Sequence, residues 1–282
     1  MRAAVGAFLV AVGCTIPCLA EEPGFRPPTA YPPGPLGEMV AKGEQIFTDT
    51  PGEAGLYARS ALSCESCHLD RGRDSQSSPM WAAVPMYPQY LGRNRRVITL
   101  GQRIQDCFRY SMNGAAPDLG SNVLTALESY LFWLSRGAAI GAKTPSRGYP
   151  LLSDPELDPN PDRGRKVFVE KCALCHGHDG QGVKRAGRYV FPPLWGPLSY
   201  NWGAGMAKVE NAGRFIKANM PFGLGGGLTD QDAWDVAAFI DSRPRPQDPR
   251  FTGDVAETMG KYHRDGDYYG RVVDGVLLGA SP

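Results

Sequence analysis

The chain has 282 residues, enough for two ordinary domains. Its 30 Lys and Arg against 29 Asp and Glu leave it formally near neutral, which excludes the broad basic face that nucleic-acid binding requires. Any anion binding must therefore be local.

The first residues read as an export signal. Arg2 precedes an apolar run from Ala3 to Val12, and Cys18-Leu19-Ala20 before Glu21 places small residues at the cut, so residues 1–20 are expected to leave after Ala20. The run falls short of the roughly 20 residues that a spanning helix needs, so no stable membrane insertion is expected. Cys14 follows Ala11-Val12-Gly13, a poor lipoprotein box. The expected location is periplasmic. Loss of Arg2 brings the balance to 29 basic against 29 acidic side chains, and loss of Cys14 and Cys18 leaves five of the seven cysteines. These are Cys64, Cys67, Cys107, Cys172 and Cys175, an odd number in a compartment where spare thiols pair.

Residues 21–36 are rich in proline and glycine and form an extended lead-in. From Leu36, Met39, Val40, Gly43, Ile46 and Phe47 recur at helical spacing. Gly164, Val167 and Phe168 repeat the same glycine-then-aromatic pattern, so the chain is internally duplicated. Each copy carries a C-x-x-C-H and ends in an apolar helix. The first spans Val123 to Leu134, and the second spans Asp232 to Ile240, with a capping signal at Thr229 and a stop at Pro244. The Gly-, Pro- and Ser-rich stretch from Gly137 to Pro161 is the boundary, placed near residue 155, giving units 21–155 and 156–282. No segment alternates as a sheet strand does, and the tail from Pro244 to Pro282 is expected to be irregular.

Cys64-Glu65-Ser66-Cys67-His68 and Cys172-Ala173-Leu174-Cys175-His176 are attachment signatures of c-type haem. One turn of chain places both thiols beside the porphyrin vinyl groups while the adjoining imidazole reaches the iron. A disulfide or half a zinc site is the bland reading, and two copies between suitable helices in an exported chain argue against it. Both halves resemble the class I cytochrome c fold. The expected class is all-α, two class I cytochrome c-like domains in tandem with long loops, holding two covalently bound haem c.

The sixth ligand decides what each haem does. For the second haem, Asn219-Met220-Pro221 precedes the final helix and Met220 is the expected ligand, with Met206, Lys208 and Lys217 in reserve. His178 stands two residues after His176, too close to reach the opposite face of the same ring. For the first haem, Cys107 and Met112 compete. Met112 gives a second electron-transfer haem; Cys107 gives a thiolate-bound iron of low potential and explains the unpaired cysteine, and it is preferred.

Cys107 to Gly114 (Cys-Phe-Arg-Tyr-Ser-Met-Asn-Gly), Ala126 to Leu131 with Trp133-Leu134-Ser135, and Phe215 to Pro221 closely resemble the dihaem thiosulfate dehydrogenases, also called tetrathionate-forming or tetrathionate-reducing cytochromes. The resemblance covers nearly the whole mature chain. It implies that His68 and Cys107 bind a catalytic iron, with Cys107 also the reactive sulfur, and that His176 and Met220 bind an outward electron-transfer haem. Arg93 and Arg103 match positions lining the substrate site, and Ser111 matches a hydroxyl near it. Tyr110 departs from the pattern, which has arginine before the serine. Independently, Arg93, Arg95, Arg96, Arg103 and Arg109 cluster around the single acid Asp106, and guanidinium forks suit a sulfonate. Arg95 and Arg96 are read as a solvated face.

The implied reaction joins two thiosulfates to tetrathionate, in either direction, and passes two electrons to a soluble small cytochrome c or high-potential iron-sulfur protein. On this reading Cys107 leaves the iron, bonds the outer sulfur of one thiosulfate and is attacked by the second. The rival is a non-enzymatic dihaem electron-transfer cytochrome serving another dehydrogenase or oxidase. A dihaem peroxidase is a third class, and no feature asks for the open iron it needs.

Overall fold

A computed structural model describes residues 25–92, 94–141, 147–264 and 266–280. The export signal expected at 1–20 and the candidate Arg93 lie outside the described residues.

The first half is framed by α1 (Pro35–Thr48), α2 (Leu100–Tyr110) and α3 (Asn122–Leu134), and the second by α4 (Pro161–Lys171), α5 (Val209–Asn219) and α6 (Asp230–Asp241). Their starts follow local chemistry. Thr99 and Gln102 cap α2 reciprocally, Ser121 accepts from the Leu124 amide ahead of α3, and Thr229 accepts from the Asp232 amide at 3.0 Å ahead of α6.

The repeated glycines mark the helix crossings. A Cβ at Gly43 would collide with the Ala126 carbonyl of α3, and one at Gly164 with the Asp235 carbonyl of α6. Backbone-to-backbone contact at these points lets the flanking side chains interlock. In the first half Val40, Ile46 and Phe47 of α1 bury against Leu127, Tyr130, Leu131 and Leu134 of α3. In the second, Phe168 packs on Phe239 and Trp195, with ring centroids 5.2 Å away in each case. Each large apolar side chain so buried contributes about 1.5–3 kcal/mol.

Among the described residues, three two-stranded hairpins interrupt the helices, at Gln89–Leu91 with Arg96–Ile98, Val183–Arg185 with Arg188–Phe191, and Val272–Val273 with Val276–Leu277. Strands this short show no sustained alternation, which is why the sequence carries no sheet signal. The tail expected to be irregular contains α7 (Val255–Tyr262), capped by Asp254, and the hairpin that follows it. It buries Tyr268, Tyr269 and Leu278, with Tyr269 edge-on to Trp202 and stacked on His263.

Polar contacts tie the halves together. The Asn201 amide donates to the Arg109 carbonyl at 2.8 Å and to Asn113 at 3.1 Å. The Ala61 amide reaches the Leu198 carbonyl, and the Asn219 amide donates to the Gln76 carbonyl at 3.2 Å. No helix among the described residues is long and apolar enough to cross a membrane.

Candidate functional site, two thiol and imidazole centres

Just after α1, Thr50 prepares the first motif. Its buried hydroxyl accepts from the Cys64 amide at 3.2 Å and lies 3.4 Å from the Cys64 sulfur. Cys64–Ser66 form one 3₁₀ turn that brings both thiols to one side, ahead of His68. The imidazole Nδ1 of His68 is 2.8 Å from the Ser78 carbonyl, and the Leu69 amide donates to Ser77 Oγ at 2.9 Å. The loop of residues 74–78 thereby sets the ring's orientation and leaves Nε2 as the nitrogen able to meet a metal. In the second half, Cys172 to His176 form a short turn and His176 Nδ1 meets the Pro192 carbonyl at 3.0 Å. Two thiols on one turn, followed by a histidine held through Nδ1, are the donor set that covalent haem needs, and it occurs twice.

The surroundings of the first motif set it apart. Burial pushes the Cys64 thiol up to about 12, opposed by the Thr50 hydroxyl and reinforced by the neighbouring Cys107. Cys67 rises to about 12 through burial, Cys107 and Cys64. Burial pushes His68 down to about 4, the Ser78 carbonyl opposing and Arg103 adding to it. Cys107, Arg103 and the first motif therefore form one electrostatic cluster. Cys107 holds the Arg103 guanidinium firmly charged, and the Tyr87 phenol is hydrogen-bonded to Arg103. Tyr149 is half-buried here, its hydroxyl donating to the Cys67 carbonyl at 3.3 Å, and desolvation raises its phenol well above the ordinary value.

Ser111 follows α2 as its C-cap, its amide donating to the Cys107 carbonyl at 2.9 Å. Arg109 pairs with Asp106, which also accepts from Asn94, so this cation is occupied. Arg95 and Arg96 are exposed. Met112 is 2% exposed and packed in the core, whereas Cys107 is only partly buried.

Partly buried Met220 stands at the C-terminal end of α5. The reserve candidate Lys217 is committed elsewhere, donating to the Leu228 carbonyl at 2.6 Å and pairing with Asp230 at 2.9 Å. Tyr87, Tyr149 and Thr50 are the site residues that motif reading missed. The one signal they share is a proline directly after each, Pro51, Pro88 and Pro150, which marks a turn but not which side chain it presents.

Residues 42–140 match the SoxA/TsdA cytochrome c domain and residues 161–244 match cytochrome c. Both halves are cytochrome c domains, and each carries a covalently attached haem c. The chain is 50% identical to the thiosulfate dehydrogenase of Thiomonas intermedia, over 90% of this chain and 82% of that one. It is 48% identical to the thiosulfate dehydrogenase of Stutzerimonas stutzeri, over 92% and 86%. The solved thiosulfate dehydrogenase TsdBA of Marichromatium purpuratum, in its as-isolated form, superposes with a TM-score of 0.88 at 48% identity. That likeness covers 92% of this chain, which spans 58% of the length of the solved one.

Proposed function

This chain belongs to the thiosulfate dehydrogenase family, and from that premise we propose that it joins two thiosulfates into tetrathionate at the first domain, with Cys107 as the reacting sulfur. The observation that carries the proposal is the cluster of Cys107 with charged, half-buried Arg103 beside the first pair of thiols. His68 and Cys107 would hold the first haem iron, with Cys64 and Cys67 on its porphyrin. His176 and Met220 would hold the second, with Cys172 and Cys175 attached. When bound, each haem supplies a one-electron acceptor, and two suffice for a two-electron couple.

The sulfur chemistry balances on the chain's own residues. The Cys107 thiolate and the outer sulfur of one thiosulfate form a sulfur-sulfur bond and release two electrons, leaving a cysteinyl thiosulfonate. The second thiosulfate attacks the sulfur bonded to Cys107, that bond breaks, tetrathionate departs, and the Cys107 thiolate returns. Arg103, together with Arg93, offsets the repulsion between two dianions, and Ser111 offers a hydroxyl to a sulfonate oxygen. Tyr87 holds the Arg103 fork in place. Electrons pass through the second domain to a small soluble cytochrome c or high-potential iron-sulfur protein in the periplasm.

The carrier reading needs Met112 on the first iron. Its placement in the core, while the Cys107 thiol neighbours Cys64 and Cys67, supports the enzyme instead. The test is an assay of the holoprotein with thiosulfate and ferricyanide, run beside tetrathionate with a reduced dye. Ferricyanide consumption dependent on thiosulfate, with tetrathionate as product, is expected; a protein inert in both directions is only a carrier. Electron paramagnetic resonance adds the ligand, because a thiolate-bound low-spin ferric haem has a narrow spread of g values.

A further inference from the structure

The segment between the two domains touches both centres through a single side chain. It is anchored in the second domain: Leu152 packs over Gly213 of α5, and the Trp234 indole of α6 donates to the Ser153 carbonyl at 2.8 Å. A few residues earlier, Tyr149 faces both ways. Its hydroxyl meets the carbonyl of Cys67, the second attachment thiol of the first domain. Its ring meets Phe215 of α5 edge-on at 5.4 Å, five residues before Met220.

A half-buried tyrosine suits this place. It has two side-chain torsions to fix, and its edge-to-face contact adds about 0.5–1.5 kcal/mol beyond the area it buries. At 3.3 Å the hydroxyl contact is long for an O–H donor, so the ring does most of the bracing.

We propose that Tyr149 is a positioning residue for electron passage between the domains, a strut that holds the Cys67 turn of the first centre at a fixed distance from the Phe215 face of α5. The inference rests on the proposed flow of electrons from the first domain to the second, and is independent of thiosulfate as their source. Electron passage weakens with the separation of donor and acceptor, so a strut that fixes that separation also fixes the rate.

The test uses the holoprotein, reduced by a light-activated dye in a short pulse, with equilibration between the two haems followed by their absorbance. Tyr149→Ala and the bulk-preserving Tyr149→Leu should slow equilibration by about tenfold or more. Haem content and the resting spectrum of each haem should stay as in the wild type. Tyr149→Phe keeps the ring against Phe215 and loses the contact with the Cys67 carbonyl, so it should fall between wild type and Tyr149→Leu; Leu152→Ala, which loosens the same segment without touching the Cys67 turn, should stay within about threefold of wild type. Wild-type equilibration in Tyr149→Leu overturns the proposal. So does a Leu152→Ala variant slowed as much as Tyr149→Leu, since general loosening would then account for both. A thiosulfate assay on the same wild-type sample reports separately on the proposed activity.

Discussion

The two domains share a frame and part company over one short stretch each. In both, a glycine lets two helices cross at backbone distance, Gly43 on Ala126 and Gly164 on Asp235. In both, the histidine after the second thiol gives Nδ1 to a backbone carbonyl, Ser78 or Pro192. The first domain then adds α2, with Cys107 beside its thiols and Arg103 kept charged. The second adds the end of α5, where Met220 stands near a lysine already neutralised by Asp230. On the proposed reading, the shared frame secures a cofactor, and a few side chains decide between reaction and relay.

The comparison breaks most directly at Cys107. Cys107→Ala should lower thiosulfate oxidation by at least about 1000-fold, the scale on which removal of a covalent nucleophile is felt. A haem stain should still count two haems per chain, and retained turnover would make the domains functionally alike. Next is Arg103→Lys, which keeps the charge but loses the fork. A fall in kcat/KM of about 10- to 100-fold is expected in steady-state assays.

The shared frame has its own test. Gly43→Ala and Gly164→Ala should each cost about 1–3 kcal/mol in denaturant unfolding, because a carbonyl occupies the space of the new methyl. Similar costs sharpen the common-frame reading, and a cost confined to one domain breaks it. The smallest effect concerns the tail that packs on the second domain. Burial opposes the Asp248 carboxylate, but His263 and Arg250 more than offset this and hold it well below the ordinary carboxylate range. Its stabilising contribution is complete above the unfolded value of about 4 and disappears as pH falls through the native value. Asp248→Asn should therefore flatten the acid side of a plot of Tm against pH.

Much of this was legible in the residues. Covalent attachment demands a fixed spacing, so both motifs stand out, and the glycine-then-aromatic repeat announced the duplicated helices because the crossing leaves no room for a side chain. Thr229 and Pro244 bracket α6 with ordinary cap and stop chemistry. The rest was hidden for physical reasons. The Ser78 and Pro192 carbonyls that orient the histidines are backbone groups, which any residue supplies. Tyr149 meets a carbonyl 82 positions away, from a stretch whose glycines and prolines read only as a boundary. In the tail, α7 is short, and the tyrosines that anchor it follow its end.

The loop of residues 74–78 serves two masters. On one side its Ser78 carbonyl and Ser77 hydroxyl govern the first histidine; on the other, its Gln76 carbonyl receives Asn219, next to Met220. Surface loops usually tolerate insertion, but one extra residue here would throw both centres out of register together. Its length is thus as constrained as the motifs themselves, though no chemical signature in its letters says so.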